Sequence, residues 1–521
     1  MKLAALSQSF QEIELKLALL ASDVPSLAKS LARLPVLARR KPTHQNLHNV
    51  YYDTPAQFLR QKRVALRIRR IGSDAEPRWL QTLKTGGHGN SALSQRGEWE
   101  VGVPNSTLVL NALKATPWSK IDPKGTVFPS LTPAFVTTFE RTSWMVRRRD
   151  GSVVEVALDI GHITADGKTM PICELELELM AGQPAALFAI AQQIAGTIAV
   201  LPLTKSKSQR GYDLAQNCVD VALRARPAKL TKGLSIPIAA ATTLREMFGQ
   251  FTTNLNALRH SDDPKVVHQA RVGWRRFRSA FRLFKPVLAL DAVPPWQPLH
   301  LLLGLLGELR DMDVASTETL PGLADAYLAA DPQRADAWRA MTHTLHQAAD
   351  LLRKSVRYAL LEPAVGATLL AITQWLEELA MLPEPGGARS QPKVFLRRWS
   401  KLRIAHVHQK MKRARKDFDN ADNHHNHANH ANLDDQHRIR ILAKRMRYGI
   451  ETLRNCLPQQ RAKRWHLQAT NLQLQLGAAR DVVQAGALAT KFDVDRGIVE
   501  FLHGVAVGQT MGKEKPSPKR T

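Results

Sequence analysis

The chain has few cysteines, few aromatic residues, a shortage of acidic charge and no long apolar run. Three cysteines (Cys173, Cys218, Cys456) among 521 residues are too few and too scattered for a disulfide framework or a closed zinc site. No stretch approaches the ~20 uninterrupted apolar residues of a membrane span. The opening MKLAALSQSFQEIELK has no apolar h-region ahead of its acidic residues, so no signal peptide and no membrane partner are expected. The expected setting is a reducing cytoplasm. Acidic residues number 46 against 73 Lys and Arg, a formal charge of +27. With 44% apolar and 23% charged residues, wholesale disorder and a collagen-like fibre are excluded. The length suits two to four domains.

The texture changes near residue 218. Residues 1–218 carry 27 basic and 18 acidic side chains, the remainder 46 and 28. The first part alternates polar and apolar residues in short runs: Glu12-Ile13-Glu14-Leu15-Lys16, Leu66-Arg67-Ile68-Arg69, Glu98-Trp99-Glu100 and Glu174-Leu175-Glu176-Leu177-Glu178. Period-two alternation predicts β-strands with one packed face. Turn signals such as Asp150-Gly151 and Asp166-Gly167 separate the runs. Helical patterns near Val24–Leu37 and Pro184–Ile198 interrupt them, giving a mainly antiparallel β domain with peripheral helices. After a Pro/Gly-punctuated linker the pattern is helical almost throughout, with breaks at Pro294-Pro295 and Pro383–Gly387.

The helical half contains a repeat. His268-x-x-Arg271-x-x-x-Arg275-Arg276-x-Arg278 returns as His437-x-x-Arg440-x-x-x-Lys444-Arg445-x-Arg447, and Leu306-Gly307…Arg310-Asp311 as Leu476-Gly477…Arg480-Asp481. Shared order and spacing predict two similar helical bundles. The predicted class is therefore α+β and multidomain: β structure first, then an all-α domain of two repeats.

The polar strand faces sort into carboxylates and cations. Neighbouring carboxylates on one strand face lie ~7 Å apart and repel by roughly 2 kcal/mol at an effective dielectric of ~20. Three glutamates facing a cavity are tolerable only with cations beside them. Clustered hard oxygens suit Mg²⁺ or Mn²⁺, and facing Arg and Lys suit phosphate oxygens. A cavity with both is a metal–polyphosphate site. A solvated outer face is the plain alternative for any one strand.

Glu12-Ile-Glu-Leu-Lys16 resembles the ExExK signature of the CYTH, or triphosphate tunnel metalloenzyme, family. So, in order, do Tyr51-Tyr52-Asp53-Thr54-Pro55, Leu66-Arg67-Ile68-Arg69, Thr82-Leu83-Lys84, Glu174-Leu-Glu176 and Ser206-Lys207-Ser-Gln-Arg210-Gly-Tyr212. The resemblance implies a closed eight-stranded antiparallel tunnel over residues 1–215 that binds a linear triphosphate. It implies divalent-metal carboxylates at Glu12, Glu14, Asp159, Glu174 and Glu176. It implies phosphate holders at Lys16, Arg67, Arg69, Lys84, Arg96, Arg141, Lys205, Lys207 and Arg210, with catalysis centred on Glu12, Glu14, Lys16 and Lys84. Glu98, Glu100, Glu155 and Glu178 are expected to face the tunnel.

On a helix, His268, Arg271, Arg275, Arg278 and Arg282 fall on one stripe. His437, Arg440, Lys444 and Arg447 form the second copy, with Glu451 in place of Arg282. Two such stripes suggest one shared anionic groove. The pattern resembles the CHAD domain, whose likeness covers residues 235–503 with pseudo-repeats at about 240–380 and 390–500, and implies polyphosphate binding. Its motif positions are His268, Arg271, Arg275, Arg276, Arg278, His437, Arg440, Lys444, Arg445 and Arg447. Arg310 and Arg480 are expected to form ion pairs within their helices. The stretch 423–432, rich in His and Asn, is expected to be a mobile loop in preference to a metal site. Residues 216–234 form the linker and 504–521 a basic disordered tail.

The combination resembles bacterial inorganic triphosphatases, which convert tripolyphosphate to pyrophosphate and phosphate with Mg²⁺ or Mn²⁺. Alternatives are a non-catalytic polyphosphate binder at storage granules, or turnover of thiamine triphosphate or ATP. Nucleic acid is disfavoured, because no aromatic residues interleave with the basic stripe. Nothing in the sequence specifies an oligomeric state.

Overall fold

The computed structural model describes residues 10–20, 24–72, 76–87, 91–228, 230, 234–329, 331–381, 392–423, 429–475 and 478–511. Nine strands build the first half: β1 (Phe10–Leu19), β2 (Thr43–Asp53), β3 (Val64–Ile71), β4 (Arg78–Thr85), β5 (Leu93–Val103), β6 (Thr132–Arg147), β7 (Val153–Ala165), β8 (Lys168–Ala181) and β9 (Val200–Pro202). Helices α1 (Val24–Ala32), α2 (Phe58–Gln61), α3 (Trp118–Ile121), α4 (Ala185–Ala195) and α5 (Lys207–Ala215) flank them. The sheet runs β5-β4-β3-β2-β6-β7-β8-β1-β9 with a further β1–β5 pairing. Every pair is antiparallel. That pairing closes eight strands into a barrel, and β9 adds a short ninth at the rim. Closure removes the free sheet edges.

The outer face of the barrel is packed where the alternation predicts. Leu15, Leu17 and Leu19 of β1, with Leu175 and Leu177 of β8, join α1 and α4 in one buried cluster. The helix predicted over 24–37 ends at Ala32 and continues as turns to Arg39, because Pro35 cannot donate to a helix interior.

The second half is helical: α6 (Ile236–Ala257), α7 (Pro264–Phe284), α8 (His300–Val314), α9 (Ala324–Leu328), α10 (Ala335–Leu360), α11 (Pro363–Met381), α12 (Pro392–Asn423), α13 (Asn429–Leu453), α14 (Gln459–Gln475), α15 (Ala478–Lys491) and α16 (Arg496–Met511). The repeated motifs lie on α7 with α8 and on α13 with α15, and α7 packs on α13. Trp274, Trp338 and Trp375 are buried in the apolar core, with Trp296 and Trp399 packed against it. The sequence boundary at 503 and the expected disordered tail from 504 are corrected here, since α16 runs unbroken to Met511. Residues 512–521, the break at 383–387, Leu476-Gly477 and 424–428 of the His/Asn stretch lie outside the described residues. On either side of 424–428 the chain is helical. Among the described residues no single helix is long and apolar enough to cross a membrane. The bent pair α10–α11 passes by length and composition, yet contributes Leu345, Leu369 and Trp375 to the core.

The halves are joined by backbone-level contacts. Arg259 donates to the Leu19 carbonyl at 2.7 Å, Asn256 to that of Pro202 at 3.0 Å, and the Thr204 and Thr253 hydroxyls meet at 2.8 Å. Gly366 of α11 lies against β9 so closely that an added Cβ would come within 2.2 Å of the Val200 carbonyl oxygen. Replacing glycine by alanine in a helix gains ~1 kcal/mol, while overpacking against backbone costs ~1–3 kcal/mol. Gly366→Ala should therefore lower stability in urea unfolding. An unchanged or raised midpoint would mean that the α11–β9 contact is looser than described.

Candidate active site and anion groove

The strand pairings carry the sorted charges inward. Lys16 of β1 lies opposite Glu176 of β8, Glu14 opposite Glu178, and Glu12 opposite Arg96 of β5. Arg141 of β6 is opposite Asp159 of β7, which is opposite Glu174. Glu12 and Arg67 are only 6% and 7% exposed, and both line one cavity with Glu176. A solvated outer face would have left them in water, so the plain alternative for these strands is excluded.

Inside, the charges neutralise one another. Lys84 lies 2.8 Å from Glu12 and 2.9 Å from Glu98, while Arg96 donates to Glu12 at 2.7 Å and also to Glu14. Lys16 pairs with Glu14. Arg67 approaches Glu98 at 3.7 Å, and Arg69 approaches Glu100 at 3.9 Å while donating to Asn49 at 2.9 Å. Arg141 grips Asp159 with two 2.7 Å bonds and reaches Glu176. From α5, Lys207 donates to Asp159 at 2.6 Å, to Glu176 at 3.0 Å and to Glu174, which also takes Arg210. The cavity left between them is about 70 Å³.

Asp159, Glu174 and Glu176 bring donor oxygens within 4.8 Å of one another. Oxygens round a six-coordinate Mg²⁺ sit about 3–4 Å apart, so this group fits a hard divalent ion after slight contraction. Glu12 and Glu14, placed with it by the sequence reading, pair with Lys84, Arg96 and Lys16, and Lys16 bridges to the group, 4.0 Å from Glu176. Lys205 is not among the cavity-lining residues: Asp213 holds it at 2.8 Å, and it is a third exposed. The sequence missed Tyr51 and Phe139, which line the cavity; Tyr51 accepts from Arg67 at 3.3 Å, and Phe139 lies beneath the cations of Arg141 and Lys207.

In the helical half, Arg271 and Arg275 of α7 come together with Arg440 and Lys444 of α13. Arg310 and Arg480 lie close enough to act on them electrostatically, as do Asp311 and Asp481, though burial acts more strongly. Arg310 forms the expected ion pair within its helix, donating to Glu318 at 2.8 Å where α8 continues as a π-helical segment, Ala315–Thr319. Arg276 is buried and donates to Glu451 at 3.2 Å. It therefore ties α7 to α13 instead of facing the groove, and Arg447 shares Glu451 at 3.5 Å. Arg278 is exposed, as is Arg282, and both act on Arg445 or are acted on by it. His268 is half-buried; the side chain of His437 lies outside the described residues.

Comparison with known proteins separates the two halves in the same way. Residues 11–212 match the CYTH domain model and residues 242–490 the CHAD domain model. The chain carries a CYTH domain followed by a CHAD domain. An inorganic triphosphatase of Haemophilus influenzae is 35% identical over 206 residues, 39% of this chain and 54% of the relative. The chain thus spans about half the length of that relative. Among solved structures, the CHAD domain from the plant Ricinus communis shares 24% identity over 56% of this chain and 93% of its own, with a TM-score of 0.45. A putative adenylyl cyclase from Hippeastrum shares 18% over 39% and 95%, with a TM-score of 0.27.

Burial and charge decide the ionisation of both domains. In the CYTH tunnel, burial raises the Glu12 carboxyl, but Lys84, then Arg96 and Lys16, outweigh it and hold Glu12 far below the usual range. Burial followed by the Glu12, Glu98 and Glu14 charges, against Lys84, pushes Glu178 up to about 7. In the CHAD groove, burial and then Arg275, Arg440, Arg480 and Arg447 lower Lys444 to about 7. Burial and then Arg310 and Arg275 lower His268 to about 4, against Glu318. A bound anion would stabilise the Lys444 ammonium, so binding should take up a proton and weaken as pH rises through 7. Titration of polyphosphate over the unit on either side of that value checks this, with Lys444→Arg expected to flatten the profile. A flat wild-type profile would exclude Lys444 from the groove's anion site.

Proposed function

We propose that the CYTH domain is a metal-dependent inorganic triphosphatase, hydrolysing tripolyphosphate to pyrophosphate and phosphate, and that the CHAD domain binds long-chain polyphosphate. The observation that carries the first part is the closed interior in which eight cations (Lys16, Arg67, Arg69, Lys84, Arg96, Arg141, Lys207, Arg210) meet nine carboxyl groups (Glu12, Glu14, Glu98, Glu100, Glu155, Asp159, Glu174, Glu176, Glu178). A lining so nearly neutral cannot by itself balance a polyanionic triphosphate, so extra cations must enter with it. Asp159, Glu174 and Glu176 would hold a Mg²⁺ or Mn²⁺ ion. Such an ion supplies charge neutralisation for phosphate oxygens and activation of a water.

The chain's own part is placement and preorganised charge. Lys16, Lys84 and Arg96, freed from Glu12 and Glu14, would turn to the phosphate oxygens. Arg67, Arg69 and Arg141 would fix the chain of phosphates along the tunnel axis. Glu12 and Glu14 would then be left to orient the attacking water and accept its proton. Tyr51 is stacked on Phe135 and takes Arg67, and Phe139 lies beneath Arg141 and Lys207, so neither lining ring is free to stack on a base, which supports an inorganic chain over a nucleotide or thiamine ester. The relative from Haemophilus influenzae, named for an inorganic triphosphatase, supports the same substrate.

For the CHAD domain, support comes from Arg271, Arg275, Arg440, Lys444, Arg310 and Arg480 gathered from two repeats. Releasing the counterions of a phosphate polymer onto them would make binding steeply salt-dependent. The setting that fits this reading is the cytoplasm, at polyphosphate granules.

Phosphate release from tripolyphosphate with Mg²⁺ or Mn²⁺ tests the catalytic claim. Glu14→Gln should abolish most of it, and Lys84→Ala should cost ~10–150-fold, the loss of one charge-assisted bond. Chelation should stop turnover reversibly. Equal release by wild type and Glu14→Gln, or none by either, would refute the assignment.

A further inference from the structure

Asp53 closes β2 and is 2% exposed, yet it lies outside the charged lining. Its Oδ1 accepts from the backbone N–H of Thr54 at 2.7 Å and of Leu59 at 2.8 Å; its Oδ2 accepts from the N–H of Arg60 at 3.0 Å and from the Tyr212 hydroxyl at 2.7 Å. Three of these bonds organise α2 and the turn before it. The fourth crosses to α5.

Further contacts fix the same face of α5. The Tyr212 ring packs edge-on against Phe135 and lies 5.1 Å beneath the Arg60 guanidinium, which also reaches Asp213 at 3.3 Å. At Gly211 an added Cβ would meet the Phe135 ring at 2.3 Å, so the helix sits against the barrel with no slack. At its first residue, one turn before Gly211, α5 presents Lys207 to Asp159, Glu174 and Glu176. An ammonium bonded to all three carboxylates occupies the place a divalent ion would take, and mutual repulsion excludes both at once.

We propose that the Asp53–Tyr212 hydrogen bond is a positioning device: it holds α5 in the register that keeps the Lys207 ammonium among Asp159, Glu174 and Glu176, where it competes with the divalent cation. This rests on the reading of those carboxylates as the metal site. Loosening the bond lets Lys207 withdraw, so the metal gains its oxygens while a triphosphate loses an ordered cation. A residue needed only for folding would weaken both interactions together. Opposite signs mark positioning.

Tyr212→Phe removes one hydroxyl and leaves the ring against Phe135. Calorimetric titration of the full-length, phosphate-free protein with Mn²⁺ should show about three- to tenfold tighter binding in this variant, part of one hydrogen bond's worth. Lys207→Met should tighten Mn²⁺ binding as well, and the double variant should be no tighter than Lys207→Met alone. Asp53→Asn should follow Tyr212→Phe. In steady-state assays of Tyr212→Phe with tripolyphosphate, KM should rise while kcat changes less. Unchanged or weaker Mn²⁺ binding in Tyr212→Phe, full additivity with Lys207→Met, or no Mn²⁺ binding by any of these proteins would overturn the proposal. The Mn²⁺ titration needs no turnover. Failure of the wild type to hydrolyse tripolyphosphate would therefore overturn the substrate assignment alone.

Discussion

The mutual neutralisation of buried carboxylates and cations inside a closed barrel is the constraint on which the rest depends. Burial alone would drive Glu12, Asp159 and Glu176 toward their neutral forms, and only the lysines and arginines around them reverse that. Removing one partner of such a pair leaves an uncompensated buried charge, which costs several kcal/mol. Such an interior is expensive unless a ligand uses it. Antiparallel closure makes it possible, because residues two apart on each strand face the same interior while the alternate leucines pack outside.

The helical domain solves the opposite problem. Burial, and then neighbouring arginines, lower the basicity of Lys444, Arg440 and Arg271, with Asp311 and Asp481 acting the other way on the two arginines. Glu451 relieves one end of the groove by holding Arg276 and Arg447. The second repeat has a glutamate where the first has Arg282, and the structure gives the difference a physical role: it pins α7 to α13. The two domains thus hold their charge differently, the barrel by internal pairing and the helical domain by keeping its cations close together.

Much of this was legible in the residues. Period-two alternation located the barrel strands, and the order of the charged strings indicated which faces turn inward. The duplicated His/Arg stripe identified the two helices that meet. Pairing partners were less legible, because they depend on strand register. The sequence joined Glu12 and Glu14 to Asp159, Glu174 and Glu176; in the structure the two sets have different ion-pair partners and meet at Lys16, which touches both Glu14 and Glu176. Lys205 was grouped with Lys207 although it precedes the Ser206 motif, and in the structure it lies before α5 and turns to Asp213. Arg310 was expected to pair within its helix, and does so with Glu318 in the π-helical continuation, a partner that spacing did not single out. Asp53 stood within a recognised string, but its role there was not readable, since its partners are mostly backbone N–H groups, which leave no trace in side-chain patterns.

The central claim is that these inward charges bind a triphosphate and a divalent cation together. A crystal structure of the protein with Mn²⁺ and tripolyphosphate, read at the manganese absorption edge, tests it most directly. The account predicts an anomalous peak among Asp159, Glu174 and Glu176, with phosphates along Lys16, Arg67, Lys84 and Arg96. Phosphate density confined to the helical groove or the outside of the barrel, with no manganese in the interior, would contradict it.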